Sequence, residues 1–235
     1  VINYRLTYNR FQESTPMRIV ITGATGLIGA ALSDSLQNSG HHVTRLSRRP
    51  SSEPDFAVWD PDTGVAEGIE DAEAIVHLAG ENIAGGRWTP GRKQRILDSR
   101  VSGTKRLCES LAALPSPPPT LITASAVGFY GDRGSAIVDE SSPAGQGFLP
   151  EVCQAWEAAT APAQDRGIRT VHLRIGIVLT PNGGALQKML LPFNLGAGGV
   201  LGSGSQYMPW IAIDDFLNAT LHVLTSNQVT GSGTA

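Results

Sequence analysis

Three glycines at a spacing of three, Gly23, Gly26 and Gly29, stand in VITGATGLIG at residues 20–29. The apolar run RIVI leads into them and AALSDSLQNSG, which can form a helix, follows. Glycines between a strand and a helix suit phosphate. The first lets the chain turn sharply, the second lets the backbone approach a pyrophosphate, and the third lets helix and strand pack closely. The helix N-terminus then offers free N–H groups and a partial positive charge. Thr25 adds a hydroxyl, and Leu27 and Ile28 complete the expected contact set. An ordinary glycine-rich turn is the alternative.

The second strand indicates which nucleotide. Sites for NAD usually place an acid about 20 residues after the loop to bind the ribose hydroxyls. In HHVTRLSRRP that place falls near Ser47, followed by Arg48 and Arg49. A hydroxyl and two guanidiniums suit a 2′-phosphate, because arginine binds phosphate in a fork. NADP is therefore the expected cofactor, and solvated loop charges are the alternative. Metal chemistry is not expected. The five histidines are dispersed, Cys108 and Cys153 have no ligand spacing, and His77 follows a buried-looking strand and reads as a core histidine. Asp214 and Asp215 read as the cap and first-turn acid of a helix rather than as a catalytic pair.

The elements that must position these residues alternate along the chain. Strands are expected at 18–22, 42–47, 55–59, 74–78, 119–124, 169–174 and 176–179. Helices are expected at 27–39, 90–114, 148–166, 185–194 and 214–226. This order predicts a Rossmann-type α/β fold, a doubly wound parallel sheet with helices on both faces. Residues 17–180 form the expected cofactor domain and 181–235 a partial substrate-binding region. Residues 1–16 read as the tail of a preceding domain, a tag or a linker, with a strand-like alternation of Ile2, Tyr4, Leu6 and Tyr8 and a natural start at Met17. The 235 residues are 41% hydrophobic, enough for a sizeable core, and the net charge of −3 with scattered cations argues against nucleic acid. No apolar run approaches the roughly 20 residues that span a bilayer. The cysteine usage fits a reduced, cytoplasmic protein.

With these residues placed, the chain resembles a short-chain dehydrogenase/reductase of the extended type. TGATGLIG resembles that family's cofactor loop, IVHLAG (75–80) the segment passing under the cofactor, and SRVSGT (99–104) a helix start where asparagine is common and Arg100 stands here. It more closely resembles the atypical, sugar-nucleotide epimerase-like subgroup, also called cell-division-inhibitor-like, through LAGENIAGGRWT, SAVGFYG, VCQAWEAA, LRIGIVLTPNGGAL and GAGGVLGSGSQYMPWIAIDDF. The resemblance implies that Leu78, Ala79, Gly80, Glu81 and Arg100 also touch the cofactor. It places Asp60 near the adenine and Arg174 and Gly176 on the nicotinamide side. Asn82, Trp88, Lys93, Gln206 and Trp210, with Arg87, would line a pocket for a small-molecule substrate, although the tryptophans also suit loop anchors.

The family's proton-transfer pair is a Tyr and a Lys four residues later. On FLPEVCQAWEAA those places fall on Leu149 and Cys153, neither of which can do that work. Ser125, at a strand end, and Tyr130, in the same loop, are the remaining catalytic candidates, and packing is their alternative role. WIAIDDF usually carries a histidine where Ala212 stands. The family continues beyond the last residues seen here, which implies an incomplete C-terminal lobe. Two functions follow: an NADP-dependent oxidoreductase or epimerase acting at a hydroxyl or carbonyl carbon, or a non-catalytic NADP sensor or regulator linked to cell division. A homodimer stays open.

Overall fold

Every second residue of the first strand faces the same way, and both faces are buried. In the computed structural model, which describes residues 15–63, 68–200 and 202–235, β1 (Arg18–Thr22) directs Ile19 and Ile21 into one hydrophobic cluster and Val20 into another. This is the pattern of a central parallel strand covered by helices on both sides. The first cluster takes Leu32 and Leu36 from α1 (Leu27–Asn38) and Phe216, Val223 and Leu224 from α6 (Ile213–Thr225). The second takes Leu107, Cys108 and Leu111 from α2 (Pro90–Ala113).

Around β1 lie β2 (His42–Ser47), β3 (Phe56–Val58), β4 (Ala74–His77), β5 (Thr120–Ala126), β6 (Arg169–Ile175) and β9 (Gly231–Thr234). They form a seven-stranded sheet in the order β3-β2-β1-β4-β5-β6-β9, with every pair parallel. The doubly wound Rossmann-type fold expected from the alternation is therefore present. A separate pair joins β7 (Ile177–Thr180) to β8 (Trp210–Ala212), with α5 (Gly184–Asn194) between them in sequence. No residue of α5 is buried. The segment after residue 180 also returns to the main sheet, through α6 against α1 and β9 beside β6. Residues 1–14, with the alternation expected there, lie outside the described residues. Among the described residues no helix is long and apolar enough to cross a membrane.

One expected helix is divided. The stretch 148–166 becomes α3 (Phe148–Ala158) and α4 (Ala161–Asp165). Pro162 explains the break: it has no N–H to give to the carbonyl of Ala158, and its ring would collide with that carbonyl. A 3₁₀ turn at Val127–Tyr130 follows β5. Arg169, at the start of β6, holds the far end of α6. It donates to the carbonyls of Ser226, Val229 and Val223 and to Thr120 Oγ1 at 2.8–3.1 Å. A cation suits these orphan carbonyls at a helix C-terminus. Arg169→Ala should lower stability by about 2 kcal/mol, the range for hydrogen bonds from a charged group, as read by urea denaturation. A loss near zero would show that water replaces the guanidinium without cost.

Candidate functional site

The strand order reverses direction at β1, with β2 to one side and β4 to the other, and the crevice at such a point receives ligands in open α/β sheets. The glycine loop occupies it. Gly23 has φ +69°, and a Cβ there would lie 2.8 Å from the Leu78 carbonyl carbon. A Cβ on Gly29 would come within 2.3 Å of Gly23 O. Gly26 donates its N–H to Gly23 O at 3.0 Å and forms the N-cap of α1, with no side-chain cap and no acid in the first turn. Thr25, Gly26 and Leu27 are exposed, while Ile28 is half-buried. An uncapped helix end above a cradle with no room for side chains fits a pyrophosphate. Leu27 also touches the turn after β7, since Cβ atoms on Gly183 and Gly184 would strike its methyl groups.

On the β2 side, Ser47 ends its strand and its Oγ accepts the Arg49 N–H at 3.2 Å. Arg48 and Arg49 are exposed and make no ion pair among the described residues. Asp60 follows β3 and the buried Trp59. Its carboxylate accepts the Asp62 N–H and the Thr63 hydroxyl, which hold it below the usual carboxylate range. It therefore braces its own turn.

On the β4 side, Leu78 and Ala79 donate their N–H groups to Thr22 O and Thr22 Oγ1, which fixes this segment beside the glycine loop. His77 is fully buried, with Nδ1 2.6 Å from Thr22 Oγ1 and Nε2 2.9 Å from Thr104 Oγ1. Trp156 Nε1 donates to the same Thr104 oxygen at 2.9 Å. Thr104 can then donate its own proton to His77, which leaves His77 Nδ1–H for Thr22. Burial lowers the His77 pKa to about 4, so the ring is neutral. It is the core histidine expected from its strand. Arg100, from α2, donates Nη1 to Glu81 O at 3.1 Å and lies over the Trp156 ring at 5.0 Å. Its guanidinium fills the space beside Gly80.

The two catalytic candidates meet in one buried network. Ser125 Oγ donates to Glu157 Oε1 at 2.7 Å. Arg174 grips both oxygens of Glu157, through Nε and Nη2 at 2.9 Å each. Its Nη1 donates to Tyr130 OH at 3.1 Å, and that phenol is 2.9 Å from Thr234 Oγ1 on β9. Phe129 stacks on the guanidinium at 3.5 Å. Ser125 and Tyr130 are 3% and 2% exposed, so both hydroxyls are enclosed and partnered. Burial opposes the charge on Glu157, but the bonds from Arg174 and Ser125 outweigh it and hold the carboxyl below its usual range. The expectation that Arg174 faces the nicotinamide side meets a guanidinium already taken up by Glu157 and Tyr130. Gly176 donates to Ala235 O at 2.7 Å and passes close to Pro209, which joins β6 to β7.

Of the expected substrate residues, Trp88 and Lys93 come together. Trp88 meets Phe148 edge-on at 5.7 Å, and Lys93 Nζ lies 5.1 Å from the same ring. Asn82 Oδ1 caps its own loop by accepting the Ala84 N–H, and Trp88 Nε1 donates to Ile83 O. Arg87 is exposed in the same loop. Gln206 and Trp210 belong to the separate segment leading into β8, where Trp210 is 61% exposed. Sequence reasoning missed Phe148, Trp156 and Thr234, and it took Glu157 as an alignment marker only. A single aromatic or acid on a helix gives no sign of its partner across the sheet.

Comparison with known proteins agrees with this geometry. Residues 19–234 match the NAD dependent epimerase/dehydratase family. An epimerase family protein of Mycobacterium bovis is 41% identical over 215 residues, 91% of this chain and 71% of the relative. The crystal structure of human epimerase family protein SDR39U1 with NADPH superposes with a TM-score of 0.85 at 38% identity, over 93% of this chain and 74% of that one. A nucleoside-diphosphate sugar epimerase from Corynebacterium glutamicum gives 0.82 at 39% identity, over 93% of this chain but 46% of its own length. From its glycine loop to β9, the chain belongs to the NAD dependent epimerase/dehydratase family.

Proposed function

We propose that this chain binds NADP(H) across the β1 switch point and serves an epimerase-like oxidoreductase acting at a hydroxyl or carbonyl carbon of a small molecule. The observation that carries the reading is the uncapped N-terminus of α1 over a cradle that excludes side chains, with Ser47, Arg48 and Arg49 at the end of β2 where an acid would select NAD. The NADPH named in the human relative's structure supports the same cofactor. When bound, the cofactor supplies the hydride chemistry. The chain's own residues hold the phosphates, fix Leu78–Glu81 under the dinucleotide, and present Trp88 and Lys93 to a polar substrate. Ser125 and Tyr130 are the proposed groups for the reacting oxygen, and each would exchange a present partner for substrate.

A second reading is favoured by a specific observation. Leu149 and Cys153 stand where a Tyr–Lys pair would be, and burial pushes the Cys153 thiol up to about 11. A protein that binds NADP(H) without turning it over, as a sensor or regulator, fits that composition. A panel of carbonyl compounds with NADPH, followed by nicotinamide absorbance, separates the two readings. Turnover abolished in Tyr130→Phe supports the enzyme.

Calorimetric titration with NADPH and NADH tests the cofactor itself. NADPH should bind tightly and NADH weakly. Arg48→Ala removes a charge-assisted phosphate contact and should weaken NADPH by on the order of 10- to 100-fold while leaving NADH unchanged. Equal NADPH affinity in a folded Arg48→Ala protein would remove Arg48 from the site.

A further inference from the structure

The surroundings of Arg100 carry an inference that rests on the NADP(H) reading above. With the pyrophosphate over Gly26, the sheet order sends the adenosine half of the cofactor toward β2 and the nicotinamide half toward the ends of β4 and β5. Arg48 stands on the first side and Arg100 on the second. Arg174 is also on the second side, but Glu157 neutralises it.

Arg100 differs from Arg174 in having no carboxylate bonded to it: Glu81 acts on its charge only through space, whereas Glu157 grips Arg174 with both oxygens. It makes no ion pair among the described residues. Its two hydrogen bonds both come from Nη1, to the carbonyls of Glu81 and Ile96. Among the described residues Nη2 and Nε bond to nothing. The group is half-buried, held flat by Trp156 and by the wall beside Gly80. The nearby Cys153 thiol is neutral, so it offers no counter-charge. Holding a guanidinium in this way is costly unless a ligand interacts with it.

We propose that Arg100 makes this site distinguish the two redox states of the cofactor, favouring NADPH over NADP⁺. The reduced nicotinamide ring is uncharged, while the oxidised ring carries one positive charge. A fixed guanidinium on the nicotinamide side repels the oxidised form and leaves the reduced form unaffected. Its unused N–H groups remain available to ribose hydroxyls in either state. In partly screened surroundings, a like-charge pair several ångströms apart is worth on the order of tenfold in affinity.

The experiment titrates the full chain with NADPH, NADP⁺ and adenosine 2′,5′-bisphosphate, which lacks the nicotinamide half. The wild type should bind NADPH about tenfold more tightly than NADP⁺. In Arg100→Gln the ratio should fall toward one, while Arg100→Lys, which keeps the charge, should retain most of it. The bisphosphate should bind all three proteins alike, which also reports that the variants are folded. A ratio unchanged in Arg100→Gln overturns the proposal and leaves the NADP(H) reading standing. A wild-type ratio of one overturns it whatever the variants do. If the wild type binds none of the three ligands, the cofactor reading fails and this proposal fails with it.

Discussion

Arg174→Met is expected to lower the unfolding free energy by about 3–5 kcal/mol, the range for removing one partner of a buried ion pair. The side chains of Arg174 and Glu157 are 6% and 12% exposed, so the remaining carboxylate would have little water to turn to. It would keep Ser125 at 2.7 Å and Ser232 at 3.3 Å, two neutral donors in place of a fork. Tyr130 would lose the donor at its phenol, and Phe129 the cation stacked on its face. The effect spreads because the network joins β5, the 3₁₀ turn, α3, β6 and β9. Urea denaturation near neutral pH measures it, and a loss below about 1 kcal/mol would show that the pair adds little. The double variant Arg174→Met with Glu157→Leu should recover part of the loss, since an apolar pair strands no charge. The acid dependence follows from the same bonds. The Glu157 carboxyl is held below 4.5, so its contribution is complete above that value and disappears as the pH falls through the lower, folded one.

This network also marks where reading the sequence stopped working. The glycine loop, the Ser47–Arg49 segment and the order of β1 to β6 were legible because each rests on neighbours in sequence. Gly23, Gly26 and Gly29 are three apart, and the strands are short apolar runs. Arg174, Glu157 and Tyr130 are far apart in the chain, and their meeting depends on how α3 lies against β6. Their residue types suggested a nicotinamide contact and a catalytic phenol, whereas the hydroxyl and guanidinium are bonded to each other. The strand β9 was illegible for a different reason. GSGT has no apolar alternation, and it joins the sheet through backbone pairing with β6 and hydroxyl bonds from Ser232 and Thr234, so no apolar pattern announces it. The division of α3 from α4 was legible at Pro162 and was passed over in favour of a longer helical period. Trp88 and Lys93, expected in one pocket with Asn82, Gln206 and Trp210, meet at Phe148, a ring from α3 that no spacing in the sequence links to them.

Lowering the pH from 7.5 to 4.5 should remove on the order of 2–3 kcal/mol of stability through His77 alone. The unfolded imidazole titrates near 6.5, and burial lowers the folded value to about 4. Between these values the unfolded chain binds the proton and the folded chain does not. Stability is therefore complete above 6.5 and is lost as the pH falls toward 4. His41 and His172 are also lowered, in each case chiefly by burial, and act in the same direction. The measurement that isolates His77 is the difference between wild type and His77→Asn, compared by urea denaturation across the range. The variant should be less stable at pH 7.5 but lose less on acidification, so the two curves converge. Parallel curves would show that His77 does not titrate with unfolding. The consequence reaches the site because His77 bridges Thr22, immediately before Gly23, to Thr104 and through it to Trp156, on which Arg100 rests. A proton on Nε2 would meet a Thr104 hydroxyl that now donates to that nitrogen. In the folded chain that proton arrives only near pH 4, so the brace between the glycine loop and the Arg100 shelf should hold through the range in which stability is lost and give way only at its acid end.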